Sequence, residues 1–376
     1  MRGLIGEDYV TEEGEFVINM GPQHPSTHGV LHLKIWLDGE VVKRIQPHLG
    51  YIHRSIEKMS ENLSYRNFIF ATSRMDYISA HINNEACALC VEKGLQLEVP
   101  DRVKYVRTII AELTRLASHQ LWWGCTGLDL GAVTPFFYAF REREAILEIM
   151  EETCGARLTQ NYNVPGGLMY DIHTNFQKRT KEVLKQIKGK FEEYDNIMTG
   201  NIILENRLKG VGYLSKDDAI SFGVTGPTGR ASGVSCDVRK WFPYSAYDKV
   251  QFDEVLGVDG EGDCYSRYMM RMREMKQSVH IIEQLIDNIP EGDFQAKTKN
   301  VIKLPKGEFY QRVETGRGEL GVFIVSDGAA SPYRIKYRSP NFSNLSALHT
   351  MAKGAKIGDL VAIMATLDLI IPDIDR

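Results

Sequence analysis

Two histidines four residues apart are the first side chains in this sequence that could do chemistry. His24 and His28 lie in the stretch GPQHPSTHGVL at residues 21–31. Imidazoles at this spacing can bind a metal ion, exchange protons with a substrate, or simply belong to a turn. The i, i+4 spacing brings two imidazoles together on a helix, but Pro25 and Gly29 disfavour a helix here. The sequence therefore weakens the metal interpretation and leaves the catalytic pair and the turn open.

The segment that follows the two histidines predicts a β-hairpin. Apolar and polar residues alternate over 30–37, Asp38-Gly39 comes next, and a second alternating run covers 40–45. Two alternating runs joined by Asp-Gly are the strongest short-range hairpin signal in a sequence. We therefore expect the histidines to lie in a loop that leads into a hairpin strand.

Much of the remaining chain has the periodicity of helices. The predicted helices are 54–71, 74–95, 101–123, 137–154, 176–201, 264–288 and 344–366. Apolar residues in these segments recur every three to four positions, which places them on one face of a helix. Gly155 is expected to close the fourth helix, since glycine adopts the left-handed conformation that ends helices. A second hairpin is predicted at 319–339.

These elements predict an α+β fold in one integrated domain. The chain divides into an N-terminal β-hairpin region at 1–50, a helical core at 51–204, a glycine-rich β/loop segment at 205–263, and a final part at 264–376 with a helix, a β-hairpin and a C-terminal helix. We expect the central helices to form a bundle, with the antiparallel hairpin sheet and the other β-rich segments packed around it.

Composition and charge exclude several classes of protein. The chain has 376 residues, 43% of them hydrophobic, and a net charge of −4, so no basic field suits it to nucleic acid. Its first residues, MRGLIGEDYVTEEGEF, are acidic and lack the apolar region of a signal peptide. The longest apolar run, 360–371, contains Asp368 and is shorter than the ~18 residues that a membrane span needs. We expect no membrane span, although the chain can still dock onto a membrane protein.

Six cysteines are scattered along the chain, and two of them form a CxxC motif. Cys87 and Cys90 lie in NNEACALCVEKG, within the second predicted helix. A four-thiolate zinc site needs a second such pair, and the sequence has none. We therefore expect the two thiols to be ordinary buried side chains.

Eight short motifs follow one another along the chain. They are GPQHPSTHGVL, PHLGYIHRSIEK at 47–58, SRMDYISA at 73–80, GLDLGAVTPFF at 127–137, PGG at 165–167, SGVSCDVRK at 232–240, GDCYSRY at 262–268 and the final Asp375-Arg376. Together they resemble the D-type (NuoD-type) subunit of the respiratory NADH:quinone oxidoreductase, complex I, which is related to the large subunit of nickel–iron hydrogenases. The match runs nearly end to end in chain order, so it is far more specific than any single motif. It implies a hydrogenase large-subunit-like fold.

The resemblance implies roles for three side chains at a quinone site. In the family, the second histidine of the HPxxH loop bonds one carbonyl of the quinone head group, and that position is His28 here. The tyrosine of the RxDY motif, Tyr77, bonds the other carbonyl, and the aspartate of the LDxGAxTPFF segment, Asp129, interacts with the histidine. These residue types suit the chemistry, because quinone reduction needs hydrogen-bond donors aimed at developing negative oxygens.

The resemblance also implies partners and a location. Arg54 and Arg74 match family arginines that lie towards a 4Fe-4S cluster held by a neighbouring B-type subunit. The substrate would be ubiquinone or menaquinone, and the electrons would come from that cluster. C-type, I-type ferredoxin-like and H-type membrane subunits complete the expected complex, a peripheral assembly on the cytoplasmic side of the bacterial inner membrane. Because the sequence starts directly at the D-type region, we expect no fused C-type segment.

Two departures from related patterns shape these expectations. The hydrogenase RxCGxC motif aligns with residues 74–79, where Asp76 and Ser79 replace both cysteines, and no cysteine follows Cys264. Nickel and iron need thiolates at such a site, so we expect this chain to bind no metal. Many family members have a titrating histidine where Thr159 stands. This change suggests weaker coupling of cluster reduction to protonation and a low-potential quinone such as menaquinone.

Three other functions compete with the quinone-site subunit. A nickel–iron hydrogenase-like large subunit is disfavoured by the missing cysteines. A non-catalytic scaffold that joins the peripheral arm to the membrane arm is disfavoured by the presence of the three site residues. An equivalent subunit of a relative that oxidises ferredoxin stays open, because the electron donor binds elsewhere in such a complex.

Overall fold

The structure of the chain is a computed structural model that describes residues 15–27, 29–257 and 262–376. Over these residues, long helices pack with small antiparallel sheets, which confirms the α+β prediction. No helix in the described part of the chain combines the length and the hydropathy that crossing a membrane requires.

The N-terminal sheet contains the predicted hairpin. Its strands are β1 (Glu15–Met20), β2 (His32–Asp38) and β3 (Val41–His48), in the order β1-β2-β3. The strands β2 and β3 pair antiparallel, with Ile35 opposite Ile45. Gly39 has a φ of 57°, as the tight Asp-Gly turn requires. Both faces of β2 are covered: Ile35 is buried on one face, and Trp36 is buried on the other, where Lys34 and Arg44 lie over its ring.

The first two predicted helices are shorter than expected. Instead of one helix at 54–71, the chain forms α1 (Ile56–Glu61) and α2 (Ile69–Thr72). The second predicted helix, 74–95, begins only with α3 (Ala80–Leu95). The Asn83 amide donates to the backbone carbonyls of Thr72 and Asp76, at 3.2 and 3.0 Å. These bonds hold residues 74–79 as a series of turns, so tertiary contacts override the helical periodicity there.

The centre of the fold is the long helix α4 (Asp101–Asp129), which packs against α5 (Thr134–Cys154). Both were predicted as helices, and both are longer than predicted. Gly155 ends α5 with a φ of 73°, as expected. Almost the whole middle of α4 is buried. A short hairpin, β4 (Asn163–Val164) and β5 (Gly167–Leu168), follows.

The predicted helix at 176–201 is interrupted at Gly189. It forms α6 (Phe176–Lys188), α7 (Phe191–Tyr194) and one π-helical turn at Asp195–Thr199. Across the described part of 205–263 the structure has short helices and no strand, which corrects the β/loop prediction. The short helices are α8 (Ile202–Leu208), α9 (Lys216–Ser221), α10 (Gly226–Ala231) and α11 (Val238–Trp241). The side chains of Asn201, Ser215 and Asp237 cap the first turns of three of these helices. Such capping residues are a local sign of a helix start, but the high glycine content of the segment favoured the β/loop prediction.

The C-terminal third confirms one predicted helix and one hairpin. The helix is α12 (Cys264–Leu285), and the hairpin belongs to a sheet in the order β6-β7-β8. The remaining elements are β6 (Gly307–Thr315), β7 (Gly318–Ser326), β8 (Arg334–Arg338), α13 (Pro340–Ser346), α14 (Leu348–Ala352), α15 (Ile357–Leu367) and α16 (Ile371–Ile374). The predicted helix at 344–366 is split because Gly354 and Ala355 exchange backbone hydrogen bonds with Val42, at 2.8 and 2.9 Å.

Candidate functional site

Tyr77 lies in the turns that precede α3 and lines a small cavity. The cavity has a volume of about 140 Å³. Its other walls come from the C-terminal half of α4 and from the end of α15 with the residues that follow it. The lining residues are Tyr77, Ile78, Leu121, Trp122, Cys125, Thr126, Asp129, Ala365, Asp368, Leu369 and Ile370. Because Tyr77 is on a turn and not on the predicted helix, its position depends on the contacts of residues 74–79.

Asp129, the last residue of α4, lines the same cavity as Tyr77. Its side chain is partly buried, and its carboxylate accepts no hydrogen bond from any residue that the structure describes. Burial raises the pKa of Asp129 to about 6. The carboxyl group is therefore in protonation equilibrium near neutral pH. His28, the predicted partner of Asp129, lies outside the described residues, so that contact stays a prediction.

The environment of Tyr77 keeps its phenol protonated. Burial raises the pKa of Tyr77, and the negative charges of Asp76 and Asp368 act in the same direction. The positive charge of Arg317 opposes them. No described residue hydrogen-bonds to the phenol. The O–H group is therefore a donor that is available to a ligand in the cavity.

A buried ion-pair network surrounds this end of the cavity. Arg317 donates to Asp76 and to the Ser118 hydroxyl from Nη1, each at 3.1 Å. Its Nη2 donates to Oδ1 of Asp368 at 2.9 Å, and its Nε donates to the Asp368 carbonyl at 2.9 Å. All four side chains are buried. The network therefore joins the residue before Tyr77 to a residue of the opposite wall.

Sequence reasoning missed the contributions of Asp368 and Arg317. In the sequence Asp368 stands out only as the residue that interrupts an apolar run, yet in the structure it ends α15 in the left-handed conformation, with a φ of 57°. A carboxylate inside an apolar run was the available signal, because such a group is rarely buried without a partner. Arg317 follows Gly316 in the turn between β6 and β7, and nothing local distinguishes it from an exposed turn residue.

Arg54 and Arg74 lie side by side at the surface, and Arg74 begins the series of turns at 74–79 that carries Tyr77, called the Tyr77 turn below. The Arg54 guanidinium donates to the backbone carbonyl of Arg74 from Nη2, at 2.8 Å. Arg74 donates from Nη1 to the Phe70 carbonyl at 3.3 Å and to the Ser73 hydroxyl at 2.9 Å. Both arginine side chains are exposed, and no described carboxylate pairs with them. The structure therefore brings the two predicted residues together, although neither lines the cavity.

The described residues contain no cluster of three or more histidine, cysteine or acidic side chains arranged to hold a metal ion. Cys87 and Cys90 are fully buried on α3, as predicted. Asp76 is occupied by its ion pair with Arg317. Thr159 lies in the loop after α5, with a φ of 52°, and does not line the cavity.

Comparison with known proteins identifies the family. A sequence profile described as the 49 Kd subunit of respiratory-chain NADH dehydrogenase matches residues 129–303 and 297–376. A Bacteroides thetaiotaomicron protein, named as the C/D subunit of NADH-quinone oxidoreductase, is 54% identical over 97% of this chain and 68% of that protein. Proteins named as D subunits of the same enzyme in Solibacter usitatus and Geobacter sulfurreducens are 48% and 44% identical, each over 96% of this chain and 97% and 98% of their own lengths. The chain therefore belongs to the family of the 49 Kd subunit of respiratory-chain NADH dehydrogenase.

Proposed function

We propose that this chain is the quinone-site subunit of a proton-translocating NADH (or other donor):quinone oxidoreductase, which is active only as an assembled complex. The observation that carries the proposal is the cavity that Tyr77 and Asp129 both line. The two residues lie far apart in sequence, and the fold brings them to one space. The names of the relatives, which are NADH-quinone oxidoreductase subunits, support the same assignment.

The size of the cavity fits one ring of a quinone head group. An engineered protein cavity of ~150 Å³ binds benzene, and the volume here is about 140 Å³. Complete small-molecule sites are larger, on the order of 300–1,000 Å³. We therefore infer that this chain supplies one part of the site for the quinone head group, and that the rest of the site comes from a neighbouring protein of the complex.

The proposed chemistry uses three side chains. Reduction of a quinone takes up two electrons and two protons, and negative charge develops on the two carbonyl oxygens. Tyr77 donates its O–H to one of these oxygens, and His28 donates to the other. Asp129 accepts a hydrogen bond from His28, which orients the imidazole and favours its protonated form.

The electrons come from a 4Fe-4S cluster in a neighbouring B-type subunit in this proposal. Arg54 and Arg74 face that cluster, and their positive charges favour its reduced form. Two exposed guanidiniums without a described carboxylate partner support this role. Thr159 cannot titrate, so we expect reduction of the cluster to be only weakly coupled to protonation. Weak coupling suits a low-potential quinone such as menaquinone.

The other proposed partners are the C-type, I-type ferredoxin-like and H-type membrane subunits of complex I. The complex would lie on the cytoplasmic side of the bacterial inner membrane, with this chain as a peripheral subunit and a hydrogenase large-subunit-like fold. The hydrogenase alternative is disfavoured, because Asp76 stands where a thiolate ligand would be needed and is engaged by Arg317.

The test is quinone reduction by membranes that carry Tyr77→Phe. This change removes one hydroxyl from the cavity and keeps the ring. We expect the quinone-reductase rate to fall about 100-fold or more, as loss of one donor to a developing oxyanion does elsewhere. Electron transfer to an artificial acceptor that is reduced upstream of the quinone should stay unchanged.

Tyr333→Phe is the matched control. Tyr333 is an exposed tyrosine beside β8 and is not part of the cavity. Its loss of a hydroxyl should leave both activities at the unmodified level. Unchanged quinone reduction in Tyr77→Phe would contradict the proposed site and favour the scaffold alternative.

A further inference from the structure

One fully buried arginine contacts both sides of the candidate quinone cavity without lining it. This residue, Arg317, stands in the turn between β6 and β7. We propose that Arg317 is a positioning residue of the quinone site: its guanidinium holds the Tyr77 turn and the end of α15 at Asp368 against the cavity and places a positive charge beside the phenol. The inference rests on the proposed function, because it requires that Tyr77 donates to the quinone.

The hydrogen bonds of the guanidinium reach three separate segments. Nη1 bonds Asp76, the residue before Tyr77, and also the Ser118 hydroxyl on α4. Nη2 and Nε bond the carboxylate and the backbone carbonyl of Asp368. The planar fork of an arginine can satisfy these partners at once, whereas a single ammonium group cannot. A shift of the guanidinium would therefore move two walls of the cavity together.

The turn that carries Arg317 is itself held in place. Its backbone N–H donates to the Thr315 hydroxyl at 3.2 Å, and its carbonyl accepts from the Asn344 amide at 3.2 Å. The next residue, Gly318, has a φ of 134°, and a Cβ there would lie 2.6 Å from the hydroxyl of Thr225. The backbone on both sides of Arg317 therefore has little room to move. A fixed base is what a positioning residue needs.

The charge of Arg317 acts on Tyr77 directly. Burial alone would lower the pKa of Arg317, but Asp368 and Asp76 raise it, so the guanidinium stays charged. Among the charged groups that affect the phenol, Asp76 and Asp368 raise the pKa of Tyr77, and Arg317 lowers it. A nearby positive charge makes the phenol a stronger donor as negative charge grows on the quinone oxygen.

A purely structural arginine would behave differently. A buried arginine between two carboxylates contributes to folding wherever it lies, because its removal leaves the carboxylates unpaired. Such a role predicts lower amounts of assembled complex and no selective loss of quinone reduction. Arg107 is the matched case in this chain, since it is also fully buried, pairs with Glu92 at 2.7 Å and does not contact the cavity residues.

The experiment compares four variants in membranes: Arg317→Lys, Arg107→Lys, Tyr77→Phe and the double variant Arg317→Lys/Tyr77→Phe. Lysine keeps the buried charge and removes the fork. Quinone-reductase kcat and KM are measured for each variant, and kcat is divided by the rate with the upstream artificial acceptor. We expect Arg317→Lys to lower kcat about 10-fold with little change in KM, as loss of a supporting hydrogen-bond partner does at other sites. We expect Arg107→Lys to change neither parameter.

The double variant tests whether Arg317 acts through Tyr77. If it does, Arg317→Lys causes no further loss once the phenol hydroxyl is absent. Losses that multiply in the double variant, or an unchanged kcat in Arg317→Lys, overturn the inference and leave the proposed function intact. An unchanged rate in Tyr77→Phe instead overturns the proposed function, and the inference with it.

If Arg317→Lys does not assemble, a milder variant, Ser118→Ala, tests the inference. Ser118→Ala deletes one hydrogen bond to the guanidinium and leaves both ion pairs in place. We expect it to assemble and to lower quinone-reductase kcat about 2- to 5-fold, with no added loss in the Tyr77→Phe background. An unchanged kcat in Ser118→Ala would overturn the inference in that case.

Discussion

Asp375 accepts a hydrogen bond of 2.9 Å from the backbone N–H of Gly50, from the opposite end of the chain. Its second carboxylate oxygen accepts from the N–H of Ile52 at 3.0 Å, and its carbonyl lies 2.6 Å from Nδ1 of His53. Asp375 therefore holds in place the segment 50–53, which leads to Arg54. This contact brings together in space two motifs that are distant in sequence, 47–58 and the final pair.

Asp375→Ala should loosen the segment around Gly50. The change removes both carboxylate acceptors, and a hydrogen bond to a charged group contributes about 1.5–3 kcal/mol. Hydrogen exchange of the peptide 47–58 in the assembled complex should become at least about 10-fold faster at the amides of Gly50 and Ile52. Asp293→Ala, at an exposed site, is the control and should leave exchange in this peptide unchanged. Equal exchange in both variants would contradict the contact.

Asp129 should give quinone reduction a pH dependence near 6. The pKa of Asp129 is raised to about 6, so the carboxyl group ionises as the pH rises through that value. Only the ionised form pairs with a protonated His28 in the proposed mechanism. We therefore expect kcat/KM to rise between about pH 5 and 7, and this rise should be absent in Asp129→Asn, which stays slow throughout.

The stability of Asp129→Asn separates a chemical effect from a folding effect. The folded-state pKa lies above the usual value of 3.8, so ionisation of Asp129 lowers stability as the pH rises from about 4 to 6. Neutral asparagine avoids this cost, and the variant should assemble at least as well as the unmodified chain at pH 7. Asp248→Asn, at an exposed carboxylate, should keep the normal pH profile. A rise near pH 6 that persists in Asp129→Asn would assign it to another group.

Arg107→Met should strongly destabilise the subunit. Arg107 forms a bidentate pair with Glu92, and it also donates to the carbonyls of Val164 and Gly167, at 3.0 Å each. Its removal leaves a buried carboxylate without its cation, which costs about 3–5 kcal/mol. This is a large part of the ~5–15 kcal/mol that stabilises a typical protein. The amount of subunit in membranes, measured by quantitative mass spectrometry, should fall several-fold.

An exposed ion pair provides the control for Arg107→Met. Lys188 pairs with Glu283 at 2.9 Å at the surface, where such a pair contributes at most about 1 kcal/mol. Lys188→Met should therefore leave the amount of subunit nearly unchanged. Similar amounts of the two variants would show that the buried pair is not a major stabilising contact.

The CxxC thiols should be unreactive in the native complex. Cys87 and Cys90 are fully buried, and burial raises the pKa of Cys90 to about 12 and that of Cys87 further. Thiolates are the reactive form, so iodoacetamide at about pH 8 should leave both unmodified until the protein is denatured. Peptide mass spectrometry before and after denaturation gives the answer. Native alkylation of either cysteine would contradict their burial.

The sequence by itself determined the elements that depend on neighbouring residues. Alternation around Asp38-Gly39 predicted the β2–β3 hairpin, and apolar periodicity predicted α4, α5 and α12, because these signals lie within a few positions of one another. The motifs along the chain also identified the family and drew attention to Tyr77 and Asp129. Those expectations needed no knowledge of which segments meet in space.

Only the tertiary structure decided where helices break and which charges surround the cavity. The Asn83 amide bonds the carbonyl of Asp76, which keeps the Tyr77 turn from being helical, and Val42 forms backbone hydrogen bonds with 354–355. Contacts between distant segments therefore override local helical preference. Arg317 and Asp368 join the site for the same reason. A buried charge is tolerated only opposite its partner, and the identity of that partner is set by packing and not by the residues beside it in sequence.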